Sequence, residues 1–96
     1  MYTVSKTDIF MEWFYSLKDP VVKNKIRLCL DRAGMGNLGD HHAIGEGVSE
    51  MRINYGPGYR LYYTIRERKI IILLCGGNKS SQRSDIQNAK QLNKEV

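Results

Sequence analysis

Apolar positions in the first third of the chain recur at helical spacing. Ile9, Phe10, Trp13, Phe14 and Leu17 share a face, and SKTD at Ser5–Asp8 reads as a capping-box-like start before them. Asp19–Pro20 breaks the pattern and restarts it, with Asp19 as cap and Pro20 at the first helical position. Val22, Ile26, Cys29, Leu30 and Ala33 form the second stripe, which Gly34 or Gly36 should end. The two stripes predict a helical hairpin, preceded by a short β-prone stretch at Met1–Val4. Gly34 to Gly47, GMGNLGDHHAIGEG, shows no periodicity and reads as a loop.

After Gly47 the period becomes two. Ser49, Met51, Ile53 and Tyr55 point one way; Val48, Glu50, Arg52 and Asn54 point the other. Gly56–Gly58 is a turn, and Tyr59, Leu61, Tyr63 and Ile65 then alternate with Arg60, Tyr62, Thr64 and Arg66. Arg66–Lys69 is the next turn. Ile70 to Cys75 is apolar throughout, as a central strand covered on both faces would be. Ser81 to Lys94 is a polar helix with only Ile86, Ala89 and Leu92 as apolar positions, so it is expected to be loosely held or held by a partner. The fold class expected is α+β in the order β-α-α-β-β-β-α. A helical hairpin covers one face of a mostly antiparallel sheet, and Arg52, Asn54, Arg60, Tyr62 and Thr64 stand on the open face.

With 96 residues the chain reads as one domain, 1–96, with a single core. No apolar run approaches the roughly 18 residues of a membrane span, and residues 1–8 lack an apolar signal segment, so the expected location is cytoplasmic with no membrane partner. Cys29 and Cys75 are expected as reduced thiols, and no zinc-ligand spacing links them to His41 and His42. Charge changes the picture more. Residues 1–48 carry six basic and six acidic side chains, whereas residues 49–96 carry nine and four, so the whole net charge of +5 lies in the second half. That asymmetry points to a polyanionic partner.

Two constellations could serve one. On the predicted open face, Arg52 and Arg60 fall on neighbouring strands joined by a short turn, as a cross-strand pair or its diagonal. Like charges so close call for solvent or an anion between them, and guanidinium groups match phosphate oxygens. Tyr62 and Tyr55 offer rings for base stacking; an ordinary solvated sheet face is the plainer alternative. Glu50 shares the face as a salt-bridge partner or a general base. The second constellation is LLCGGNKSSQRSD at Leu73–Asp85: glycines after a strand, then Lys79, with Ser80 or Ser81 able to cap the next helix. It lacks the glycine spacing of a nucleoside-triphosphate loop, so either a single phosphodiester site or a turn needing glycine dihedrals remains. His41 and His42 read as surface residues of the loop.

GEGVSEMRINYGPGYRLYYT and ILLCGGNKSSQRSDIQNAKQL, with WFYSLKD in the first helix, strongly resemble the RelE/ParE superfamily of toxin–antitoxin toxins, in the branch of addiction-module killer proteins related to HigB and to phage-derived Gp49-like proteins. The resemblance implies a small microbial-ribonuclease-like α+β scaffold and a bacterial or phage-encoded cytoplasmic toxin. It implies a ribosome-associated endoribonuclease that cuts mRNA without metal or other cofactor, and a cognate antitoxin of helix-turn-helix type as partner. By motif match it implies Arg52, Arg60 and Lys79 as catalytic residues and Arg83 as a further contact; with the stacking and helix-start readings above, the expected RNA contacts are Tyr62, Ser80 and Arg83. The ParE branch shares the fold but poisons DNA gyrase without cutting RNA, which leaves a non-nuclease toxin, or an inactive nucleic-acid-binding regulator, as the alternative. Relatives of RelE type often carry a tyrosine in the last helix where this chain reads SDIQNA, so the leaving-group acid is unassigned, with Tyr62 and the histidines as candidates.

Overall fold

The computed structural model describes residues 1–96. Strand β1 (Thr3–Lys6) leads into helices α1 (Asp8–Ser16) and α2 (Pro20–Gly34). Four strands follow, β2 (His41–Gly45), β3 (Val48–Ile53), β4 (Tyr59–Arg66) and β5 (Ile70–Asn78), then a 3-10 turn at Lys79–Ser81 and helix α3 (Gln82–Glu95). The sheet order is β1-β5-β4-β3-β2, with β1 parallel to β5 and every other pair antiparallel. This is the expected α+β class, compatible with a RelE-like fold, with one strand more than the sequence pattern predicts.

The helix boundaries follow local chemistry. Thr7 Oγ1 accepts from the Phe10 amide at 3.1 Å and donates to the Leu74 carbonyl at 2.8 Å, so one hydroxyl caps α1 and ties it to β5. Asp19 Oδ1 accepts from the Val21 amide at 2.8 Å, Pro20 takes the first helical position, and α2 ends at Gly34. The apolar faces of α1 and α2 bury Phe10, Phe14, Val22, Ile26, Leu30 and Ala33 against Met51, Leu61, Tyr63, Ile71 and Leu73. The alternation read from β3 and β4 is therefore the one the fold uses.

The reading of Gly34–Gly47 as loop is corrected. Its second half is β2, an edge strand joined to β3 by a two-residue turn, Glu46–Gly47, both at positive φ (55° and 79°). His41, His42 and Ala43 are all exposed, so the strand has no buried face to impose an apolar period. The glycine-flanked GEG was the available signal.

The second face is not open. Helix α3 lies across it, and Val48, Tyr62, Leu74, Cys75 and Ala89 form a second core with Ile44, Ile72, Ile86 and Leu92 around them. Nor is α3 loosely held: Arg66 donates to the Asn93 side chain at 2.7 Å and to the Asn93 carbonyl at 3.0 Å, and Lys90 pairs with Glu46 at 3.4 Å. Three apolar positions suffice because β5 supplies the facing surface. A bulge opposite Tyr62–Tyr63 leaves Leu74 unpaired with β4 and turns both Leu74 and Cys75 toward α3.

Cys29 and Cys75 are free and belong to opposite faces of the sheet. Burial, with Asp85 adding, pushes the Cys75 thiol from 9.0 up to about 12. The unfolded chain releases that proton from about pH 9 while the fold retains it to about pH 12, so the contribution to stability is intact below that window and is lost as pH rises through it. Urea unfolding at about pH 8 and about pH 10 should show the decline, and Cys75→Val should lessen it; an equal decline in both proteins would assign it elsewhere.

Candidate functional site

Where α3 ends its cover, a cationic corner of the second face remains. Arg52 and Arg60 are direct cross-strand partners, and Gly77 lies opposite Arg60 on β5. Glu50, two residues before Arg52 and thus on the same face, is buried. Its Oε2 accepts from Arg52 Nε at 2.6 Å and from Arg60 Nε at 3.2 Å. The anion that lets two arginines face each other is therefore the protein's own carboxylate. The salt-bridge reading of Glu50 holds; its side chain is only 2% exposed, which removes it from contact with a substrate. Glu50, first by hydrogen bond and then by charge, holds the Arg52 guanidinium protonated beyond its ordinary range, and Asp40 adds to this.

Glu50 engages only the Nε of each arginine, and no Nη atom of either donates within the chain. The terminal edges remain for another acceptor. The Arg60 side chain is 12% exposed and the Arg52 side chain 37%. Lys79 completes the corner: its amide donates to the Gly58 carbonyl at 2.9 Å, which docks the tip of the β3–β4 hairpin against the end of β5. Gly58 needs its glycine there, at φ 81°. The result is a cavity of about 230 Å³ lined by Arg52, Asn54, Tyr59, Arg60 and Lys79 among others, holding three cations against the single carboxylate of Glu50.

The structure thus brings Arg52, Arg60 and Lys79 together. It corrects Tyr62, which is fully buried beneath α3 and presents no ring face for stacking. Ser80 and Arg83 are exposed and lie outside the cavity lining. The Ser80 hydroxyl donates to Asn78 Oδ1 at 2.6 Å, and that same oxygen accepts from the Ser80 amide, so Asn78 and not a serine caps the turn. Ser81 instead donates to Asp85 at 2.5 Å.

The glycine pair is also corrected. Gly76 and Gly77 are strand residues of β5 and do not adopt positive φ. A Cβ on Gly76 would overlap the Trp13 indole, and one on Gly77 would overlap the Asp85 carboxylate. Their role is close approach of α1 on one face and α3 on the other.

Sequence reasoning offered the histidines as candidate acids but, reading a loop, did not place either beside the arginines. His42 is the direct partner of Glu50 and therefore shares the arginine face. Its Nε2 lies 2.9 Å from Asp40 Oδ1, and the Asp40 carbonyl accepts from the Arg52 amide. His41 turns to the Gly39 carbonyl instead, at 2.8 Å. No group of three or more His, Cys, Asp or Glu side chains gathers as a metal-ligand set, and no helix is long and apolar enough to cross a membrane.

The family model of phage-derived Gp49-like proteins (DUF891) matches residues 12–94, a span that runs from within α1 to the last turn of α3 and includes every residue lining the arginine cavity. The chain belongs to the Gp49-like family. This family is of the RelE/HigB-like toxin–antitoxin type. An uncharacterised protein of Haemophilus influenzae Rd is 40% identical to this Gp49-like chain over 93 residues, covering 97% of this chain and 94% of the relative.

Proposed function

We propose that this Gp49-like protein is the toxin of a toxin–antitoxin pair, a metal-independent endoribonuclease that cuts mRNA on the ribosome in the cytoplasm. Its partner would be an antitoxin of helix-turn-helix type. The observation that carries the reading is the Arg52–Arg60 pair, held by Nε on buried Glu50 with the Nη edges unclaimed and Lys79 at the rim. In the reaction the 2′-oxygen attacks the adjacent phosphorus and the P–O5′ bond breaks. The products are a 2′,3′-cyclic phosphate and a 5′-hydroxyl, one proton leaving the 2′-oxygen and one reaching the 5′-oxygen. Negative charge grows on the non-bridging oxygens, where fixed cations stabilise the transition state more than the ground state.

Arginine is a poor base. His42, paired with Asp40 on the same face, carries a group able to take and return a proton. Primer extension on transcripts after induction tests the whole reading: discrete in-frame cuts with 5′-hydroxyl ends are expected. Intact transcripts accompanied by DNA breaks would replace it with gyrase poisoning.

Because Tyr62 is sealed beneath α3, Tyr62→Phe is expected to leave growth inhibition unchanged and stability within about 1 kcal/mol of the parent. Loss of inhibition in a folded Tyr62→Phe protein would mean that α3 lifts off the sheet during the reaction.

A further inference from the structure

A larger cavity, of about 350 Å³, adjoins the arginine corner around the edge of β3 and has been given no role. Strand β2 begins opposite Met51, so beyond the Arg52–Asp40 backbone bond β3 has no strand on its outer side, and α2 forms the far wall. Arg52, Ile53 and Asn54 line both cavities, so the two flank the same end of β3. The new part combines an apolar wall, Leu28 and Ile53, with two further cations, Lys25 and Arg32. Leu28 is 45% exposed, and it is not part of either core. Asp40 stands at the edge with Oδ1 accepting from His42, which orients the carboxylate and leaves its second oxygen unclaimed.

We infer that this cavity receives the nucleotide flanking the phosphodiester held by Arg52 and Arg60, and that Asp40 selects a base bearing an exocyclic amino group over uracil. The inference rests on the ribonuclease reading above and deepens it. The volume lies within the range of small-ligand pockets, where an apolar lining holds a ring and a few polar groups fix its identity. Leu28 and Ile53 supply the surface for a base, and Lys25 and Arg32 the charge for its phosphate. A carboxylate accepts from the amino groups of cytosine, adenine or guanine, and uracil presents a carbonyl there instead.

The test titrates the full chain, labelled at its Leu and Ile methyls, with 2′-O-methyl ribotrinucleotides of a single base, which cannot be cleaved. Expected are shifts of the Leu28 and Ile53 methyls and about tenfold tighter binding of the cytidine trinucleotide than of the uridine one. Asp40→Ala should bring the two to parity, and Leu28→Glu should weaken both. Equal affinities in the parent protein, a preference that survives Asp40→Ala, or the same methyl shifts from inorganic phosphate alone would each overturn the subsite. Cleavage of an unmodified transcript on ribosomes is measured alongside. Methyl shifts with no RNA cutting would sink the ribonuclease reading and keep the subsite, whereas cutting with unshifted methyls would sink the subsite alone.

Discussion

Arg60→Ala is expected to abolish growth inhibition and to slow RNA cleavage by about 10²–10³-fold, the usual cost of removing one preorganised donor from a developing anion. The cause is local. Arg60 sits deeper than Arg52 and faces it directly, so its terminal edge forms the floor of the cavity that Lys79 rims. Folding should survive, because Glu50 keeps its shorter bond, the 2.6 Å contact from Arg52. The melting temperature should fall by less than about 10 °C, equivalent to roughly 1–2 kcal/mol in a domain of this size. Arg60→Lys separates charge from shape: it keeps the cation but loses the planar fork, and should recover only part of the activity. A folded Arg60→Ala protein that remains fully toxic would remove the arginine pair from the mechanism.

Gly76→Ala should be the most damaging small substitution in the chain, costing about 3 kcal/mol or more, at the upper end of overpacking effects. The added methyl would overlap the Trp13 indole, which packs against the main core, so the ring or α1 must shift to admit it. Gly77→Ala is expected to cost less, since the atoms in its way belong to Asp85 and Ser81, short polar side chains that can rotate. The mechanism is checked by a double-mutant cycle with Trp13→Ala. The double variant should lose at least about 2 kcal/mol less than the sum of the single losses, because removing the indole makes room for the methyl. Strict additivity would show that Gly76 is needed for some other reason.

Much of this fold was legible in one dimension because its determinants are local. Thr7, Asp19, Pro20 and Gly34 act within a few residues of where they stand, and they set the helix ends. The two-residue period of β3 and β4 sorted Met51, Leu61 and Tyr63 to the hairpin side. The short Gly56–Gly58 turn makes Arg52 and Arg60 neighbours, and the register makes them a direct pair. Strand β2 escaped because an exposed edge strand has no buried face and so imposes no period. Glu50 was legible as a salt-bridge partner, but its burial was not, because that comes from neighbours brought by other elements.

The sequence by itself therefore determined the start of α1, both ends of α2, the facing of β3 and β4 and the nearness of the two arginines, since backbone geometry enforces these over short separations. Only the tertiary structure decided what stays open on the second face. Contacts far apart in the chain, Arg66 with Asn93 and the Asn93 side-chain amide with the Glu46 carbonyl, seat α3 across Tyr62 and Thr64. That placement buries the tyrosine and leaves Arg52, Arg60 and Lys79 at the uncovered end. The same glycine pair that looks like a phosphate loop on paper is, in three dimensions, the thin place in the sheet that lets two helices close in beside the site.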